Sequence, residues 1–428
     1  MKKHAVIFLI IITLLSALPY SGCAAENGNS VSGGESTREN AKTDENNFAD
    51  FTDEDATDPA AFLYEEKNGA ITITGLIDES VAEIVVPSAI NGYPVIAIGK
   101  NAFINRKNLR VISIPASVKS IGYGFLSGCS GLYRLTLPFT GAEHKTDKGL
   151  KDYNFGYIFG ETPFVGGKST MQFYHKADAE QVEMVYYYIP ESLKEVKITG
   201  VKDTLIPYAA FYNCNTIDKI VLGNKITAIG EFAFSGVVGK ICWEDPKIET
   251  IGEHAFEDFK GEELTIPNSV TEIKRSGYSD CVNVKSLVVP DSVKKTDIYA
   301  FSYCYELQSI SIGKNVEKLG VETFYFCINL KTVVLPDGLQ EIEDGAFDSC
   351  KALERIELPA TVKRINANAF KNCEKLKTVV FKETDGWRYY GLNSSGDYFS
   401  AEIISDAATA ARYLTDTFRD YIWEKAPR

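Results

Sequence analysis

Residues 346–370 read AFDSCKALERIELPATVKRINANAF, and their spacing returns along most of the chain. Counted from Phe347, Cys350 stands at +3, Leu353 at +6, Ile356 at +9, Leu358 at +11, Pro359 at +12, Val362 at +15 and Ile365 at +18, and Phe370 restarts the count. The unit from Phe324 places Cys327, Leu330, Val333, Leu335, Pro336, Leu339 and Ile342 at the same offsets, and the unit from Phe103 places Leu109, Ile112, Ile114, Pro115, Val118 and Ile121 there. The recurring aromatics are Phe103, Phe125, Phe211, Phe234, Phe256, Tyr278, Phe301, Phe324, Phe347 and Phe370, at intervals of 22, 86, 23, 22, 22, 23, 23, 23 and 23. A unit this short cannot bury its own apolar face and must stack on copies of itself. Offsets +9 and +11 alternate with period two, which makes that stretch a strand with one face inward. Pro at +12 ends the strand. The spacing Ala-Phe-x-x-Cys-x-x-Leu fits one helical or 3₁₀ turn.

The chain is therefore read as a solenoid of stacked parallel strands and short helical or 3₁₀ turns, with roughly ten coils about 4.8 Å apart. On the motif Ile-x-Ile-Pro-x-x-Val-x-x-Ile-x-x-x-Ala-Phe-x-x-Cys-x-x-Leu it resembles the BspA-like class of leucine-rich repeats, over about residues 62–384. The resemblance implies an α/β horseshoe-like fold and a bacterial surface protein engaged in adhesion or binding.

The rest of the sequence sets the domain plan. Lys2 and Lys3 precede an apolar run, Ala5–Leu18, which as a helix would reach only ~21 Å against a hydrocarbon core of ~30 Å. It reads as a signal peptide over 1–22. Ser21-Gly22-Cys23 resembles the end of a bacterial lipobox, so Cys23 is the expected lipid attachment site, although Tyr20 stands where that motif prefers an aliphatic residue. Residues 23–60 are read as a disordered acidic linker, because 26–58 hold ten acidic residues against two basic and almost no large apolar side chains. Phe62–Tyr64 and Ala70–Thr74 flank the turn signal Lys67-Asn68-Gly69 and read as a capping hairpin. The solenoid spans 61–384 with an insert at about 139–190. Residues 385–428 are read as a helical cap whose apolar stripe is Ala410, Leu414, Phe418 and Ile422.

Net charge is −13, with no basic stripe along the repeats, which argues against a nucleic-acid partner. Seven of the nine cysteines, from Cys129 and Cys214 to Cys281, Cys304, Cys327, Cys350 and Cys373, fall at the repeat position. A zinc site would need clustered C-x₂-C pairs and none occurs. A disulfide ladder would leave one of the five cysteines in Cys281–Cys373 unpaired. The expected arrangement is a column of buried thiols. His144 and His175 have no patterned ligand partners, and neither G-x-S-x-G nor H-E-x-x-H is present. No catalytic residue, metal or cofactor is expected. Gly122-x-Gly124 falls inside a repeat, and Thr296 stands where Ile is expected, which should loosen packing there.

The insert is rich in Tyr and Phe, and aromatics with a polar tip are favoured at recognition surfaces. Tyr153, Tyr157, Phe159 and Tyr187 are the candidate binding residues; the competing reading is that such rings pack the insert onto the solenoid flank. The function expected is a non-catalytic interaction or adhesion module, lipid-anchored on the extracellular side of the bacterial envelope and binding an extracellular protein or glycan. The alternatives are an envelope scaffold, or a hydrolase with its site in the insert.

Overall fold

A computed structural model describes residues 51–144, 149–176, 181–201, 204–391, 397–398 and 404–426. The segment expected to be a signal peptide, Cys23 and most of the expected linker lie outside them. The stack holds about 13 turns, roughly consistent with the expected coil count. Two strand ladders run its length. In the first, Glu83–Val85, Val111–Ser113, Arg134–Leu137, Glu195–Ile198, Lys219–Leu222 and Lys240–Trp243 pair in parallel. Like residues sit side by side, as in Ile84↔Ile112↔Leu135↔Val196↔Ile220↔Ile241. The ladder resumes with Leu287↔Ile310↔Val333 and with Ile356↔Val379. The second ladder aligns the residues five before each reference ring, as in Ile206↔Ile229↔Ile251↔Ile273↔Thr296 and Leu319↔Ile342↔Ile365.

Between the ladders the reference rings form an interior column. Phe211, Phe234, Phe256, Tyr278, Phe301, Phe324, Phe347 and Phe370 are fully buried. Their centroids lie 5.0 to 5.8 Å apart and their planes within 20° of parallel. Each turn crosses the column on two residues with positive φ, at −2 and +2 from the ring. Asn101/Asn105, Ala209/Asn213, His254/Asp258, Tyr299/Tyr303, Glu322/Phe326 and Asn368/Asn372 are such pairs. This backbone costs a side-chain-bearing residue about 1–2 kcal/mol, least for Asn and Asp, which bond locally. The thiols form a second buried column. Cys129, Cys281, Cys304, Cys327, Cys350 and Cys373 each donate to the carbonyl of the preceding coil's reference ring, at 3.0 to 3.4 Å. All seven repeat cysteines are free. Val237 and Phe259 occupy the same slot in other coils, so its requirement is apolar volume.

Several expectations are corrected. Phe125 is not the reference residue of its coil. Phe103 N donates to Phe125 O, as Phe211 N does to Ala233 O, and the positive-φ pair Gly124/Gly128 centres on Leu126. Cys129 is then at +3 of Leu126, and the Phe103–Phe125 contact is edge-on at 65° instead of stacked. The linker end is folded: Asp53–Asp55 and Pro59–Ala61 are 3₁₀ turns capped by Thr52 and Asp58, and Ser88 Oγ donates to Asp53 at 2.7 Å. The first hairpin, Phe62–Lys67 with Ala70–Leu76, turns through positive φ at Asn68 and Gly69. Its second strand pairs in parallel with Tyr93–Ile98, so it adds a rung to the stack.

The C-terminal segment is mixed, not helical throughout. Asp406 caps the helix Ala407–Arg412, which continues as a wider turn to Thr417. Ala410 and Leu414 are buried on it, but Phe418 follows its end and Ile422 opens the strand Ile422–Lys425. That strand pairs antiparallel with Arg364–Ile365, the last rung of the second ladder, and with Trp387–Tyr390. Thr296 is 4% exposed, and its hydroxyl has no hydrogen-bond partner among the described residues.

Candidate functional site

The interval of 86 between Phe125 and Phe211 conceals a coil. Arg134–Leu137 pairs directly with Glu195–Ile198, so the first ladder does not register the intervening residues. The missing turn is supplied by Phe155–Ile158, a 3₁₀ turn wedged into the stack. Gly124 N and Leu126 N donate to Tyr157 O and Ile158 O from one side, and Phe155 N donates to Ala210 O on the other. Phe155 is fully buried and packs on Phe211 at 4.8 Å with the rings tilted by 31°. After this turn the chain leaves the stack as a hairpin, Gly167–His175 paired antiparallel with Val182–Pro190.

Gln172 fastens the hairpin. Its side chain is fully buried; Oε1 accepts from Gly156 N at 2.8 Å, and Nε2 donates to Ala210 O at 2.9 Å. Asn154 Nδ2 adds bonds to Phe173 O and Ala209 O at 3.0 and 3.2 Å. A strand alternates faces. Val185, Tyr187 and Ile189 point inward and are buried, while Val182, Met184 and Tyr186 are exposed at 47%, 60% and 55%. Met184 faces Phe173, and Tyr186 faces Met171, across the hairpin.

This geometry sorts the four candidate rings. Tyr153, Phe159 and Tyr187 are buried and serve the insert's own core, contrary to a recognition role in this conformation. Tyr187 covers Gly156, where an added Cβ would lie 2.2 Å from its ring, and its hydroxyl donates to Lys151 O at 3.2 Å. Burial pushes the Tyr187 phenol far above its ordinary range, with the nearby Glu161 adding to the effect. Tyr157 is half-buried, edge-on to Tyr123 at 5.3 Å, and burial and then the Asp152 charge raise its phenol. Of the four candidates only Tyr187 lies on the hairpin, and it falls in the inward phase of its strand. Val182, Met184 and Tyr186, in the opposite phase of the same strand, form the outward face.

His175 packs on Tyr208 at 4.5 Å. Among the described residues no group of three His, Cys, Asp or Glu side chains is placed to hold a metal ion. Burial pushes the Cys129 thiol up to about 12, and the Cys350 and Cys373 thiols rise for the same reason. Thiolate chemistry is thereby suppressed at these three positions.

The model of the BspA type leucine rich repeat region matches in six copies over residues 80–146, 204–322 and 295–391, more than half of the chain. A leucine-rich repeat protein from Bacteroides ovatus is 19% identical, with 76% of this chain and 88% of that one covered and a TM-score of 0.40. A leucine rich cell surface protein from Faecalibacterium prausnitzii is 24% identical, with 77% and 95% covered and a TM-score of 0.32. No curated protein matches the chain.

Proposed function

Since the chain belongs to the BspA type leucine-rich repeat family, we propose that it is a non-catalytic interaction module of the bacterial cell surface. In this reading it adheres to an extracellular protein or glycan. The observation that carries this is the outward face of the insert hairpin. Val182, Met184 and Tyr186 stand exposed in a row, with Met171 and Phe173 opposite Tyr186 and Met184. An exposed apolar row on a hairpin clamped by buried Gln172 marks a contact surface that is positioned before its partner arrives.

The test is binding of the full chain to extracellular-matrix proteins and to a glycan array, with a Met184→Glu/Tyr186→Ser variant alongside. Both side chains point to solvent, so the fold should be retained, and binding is expected to fall at least tenfold. Equal binding by the variant would remove the hairpin from the reading. Excising only 167–190 is the sharper deletion, because removing 139–190 would also extract the Phe155–Ile158 turn from the stack.

In the same proposal Cys23 carries the lipid that holds the module at the outer surface. Metabolic labelling with a palmitate analogue should mark the wild type and not Cys23→Ser; an unlabelled wild type would overturn the anchor.

A further inference from the structure

A second surface lies on the turns of the coils built around Phe301 and Phe324, away from the insert. Tyr303 packs against Tyr305, Tyr325 and Phe326 at centroid distances of 6.3, 5.3 and 5.8 Å, and Tyr325 meets Phe326 at 4.7 Å. The contacts with Tyr305 and Tyr325 are edge-on, at 67° and 87°, and so is Tyr325–Phe326, at 66°. Tyr303 and Phe326 are stacked at 28°, Tyr303, Tyr325 and Phe326 are half-buried, and Tyr305 is 36% exposed, so the cluster reaches the surface.

The backbone does not select these residues. Tyr303 and Phe326 occupy the +2 position with φ of 57° and 59°, where other coils place Asn105, Asn213 and Asn372. Left-handed backbone at a bulky side chain is a strained choice. Asn would serve the fold better, so the fold alone gives no reason for the rings.

Carboxylates surround the cluster. Asp280 lies close enough to bear on Tyr303 and Tyr305, and Glu322 on Tyr299 and Tyr303, where burial comes first and these charges add to it; the Tyr325 phenol is raised by burial, then by Tyr303 and Asp348, with Glu322 a smaller contribution. Asp280 is itself held above the usual carboxylate range by burial and then by Asp258. Glu322 is raised by burial and then by Asp348 and Asp344. The cations in the neighbourhood are Lys260, which pairs with Asp258 at 3.3 Å, together with Arg275 and Lys371. They are outnumbered by Asp258, Asp280, Glu322, Asp344 and Asp348.

From this pairing of rings with crowded carboxylates we infer that the turn face of these coils is a docking site for Lys or Arg side chains of a partner protein. The Tyr303–Phe326 cluster receives the aliphatic stem and the cation, and Asp280 and Glu322 neutralise the charge. A cation over an aromatic face is attracted by the ring quadrupole, and more strongly where water is partly excluded. A neutral glycan could use the rings but would leave the crowding of the carboxylates unrelieved. This site does not depend on the hairpin reading.

The test exploits the strained positions. Tyr303→Asn/Phe326→Asn installs the residue that other coils carry, changes no charge, and should leave the unfolding temperature equal or higher. Binding of a fluorescein-labelled lysine-rich peptide to the full chain should weaken about tenfold in this variant. Binding should also weaken in Glu322→Gln and fall as salt is raised. Unchanged peptide affinity in the double Asn variant would mean that net acidity alone attracts the peptide, and would overturn the inference. A lowered unfolding temperature would assign the rings to packing and overturn it as well. Retention of a neutral oligosaccharide in preference to the peptide would do the same.

Discussion

Tyr278 and Thr296 stand where the other coils carry Phe and Ile or Leu, and each brings a hydroxyl into a site lined with hydrocarbon. Both are buried, and neither hydroxyl has a hydrogen-bond partner among the described residues. An unpaired buried hydroxyl costs about 1–3 kcal/mol. Tyr278→Phe and Thr296→Val should each stabilise the solenoid by about 1 kcal/mol or more, read as a rise in the denaturant midpoint; a fall would show that the hydroxyl has a partner. His254 makes the other prediction at this scale. Its ring stacks on Phe232 at 4.7 Å and 8°, and its Nδ1 lies 3.3 Å from Glu257. The adjacent Glu257 carboxylate raises its pKa above 6.5, against an opposing effect of burial. A raised folded-state pKa contributes stability that is full below the unfolded value, near 6.5, and is lost as pH climbs through the folded midpoint. Its NMR titration should centre above 6.5 and move back toward that value in Glu257→Gln; an unmoved midpoint would remove Glu257 as the cause. The burial of Thr296 could be seen in the sequence, because the residue five before each reference ring is otherwise Ile or Leu. The strain at Tyr303 and Phe326 could not, because propensity at +2 speaks for Asn and nothing local signals an aromatic there.

The insert shows what an element-level pattern conveys and what it hides. Its aromatic richness was visible, but not its two strands or which phase faces inward, because both phases of Val182–Tyr188 contain apolar residues. Only the docking of Tyr187 on Gly156 and the bonds of Gln172 decide it. The hidden turn at Phe155 escaped the count because it falls 30 residues after Phe125 and 56 before Phe211, neither near the period. Gln172→Leu would strand the Gly156 N–H in a dry environment, at about 2 kcal/mol or more. Hydrogen exchange should then quicken in 167–190 while the amides of the flanking coils stay protected. Uniform quickening through the coils would mean that the hairpin and the stack unfold as one unit.

For the whole molecule the regular coils follow directly from the repeat, whereas the two ends do not, since nothing periodic announces them. The C-terminal strand is the clearest case: Ile422–Lys425 lies antiparallel on the last rung, and Trp387 and Trp423 cover Phe381. Removing 385–428 should uncover this apolar face and an open strand edge, and such edges pair with other chains. Light scattering should report self-association of the truncated chain; a monomer with the wild-type unfolding profile would show that the segment is dispensable. At the opposite flank, the ladder steps from Leu137 to Glu195 as though the chain between them did not exist, while a single 3₁₀ turn keeps the ring column filled. The excursion after that turn leaves and re-enters at neighbouring points on one rung. Evolution can therefore lengthen, shorten or exchange it without shifting any other residue out of step. The solenoid is in this sense a chassis with one open socket, and specificity can change there while the load-bearing frame stays the same.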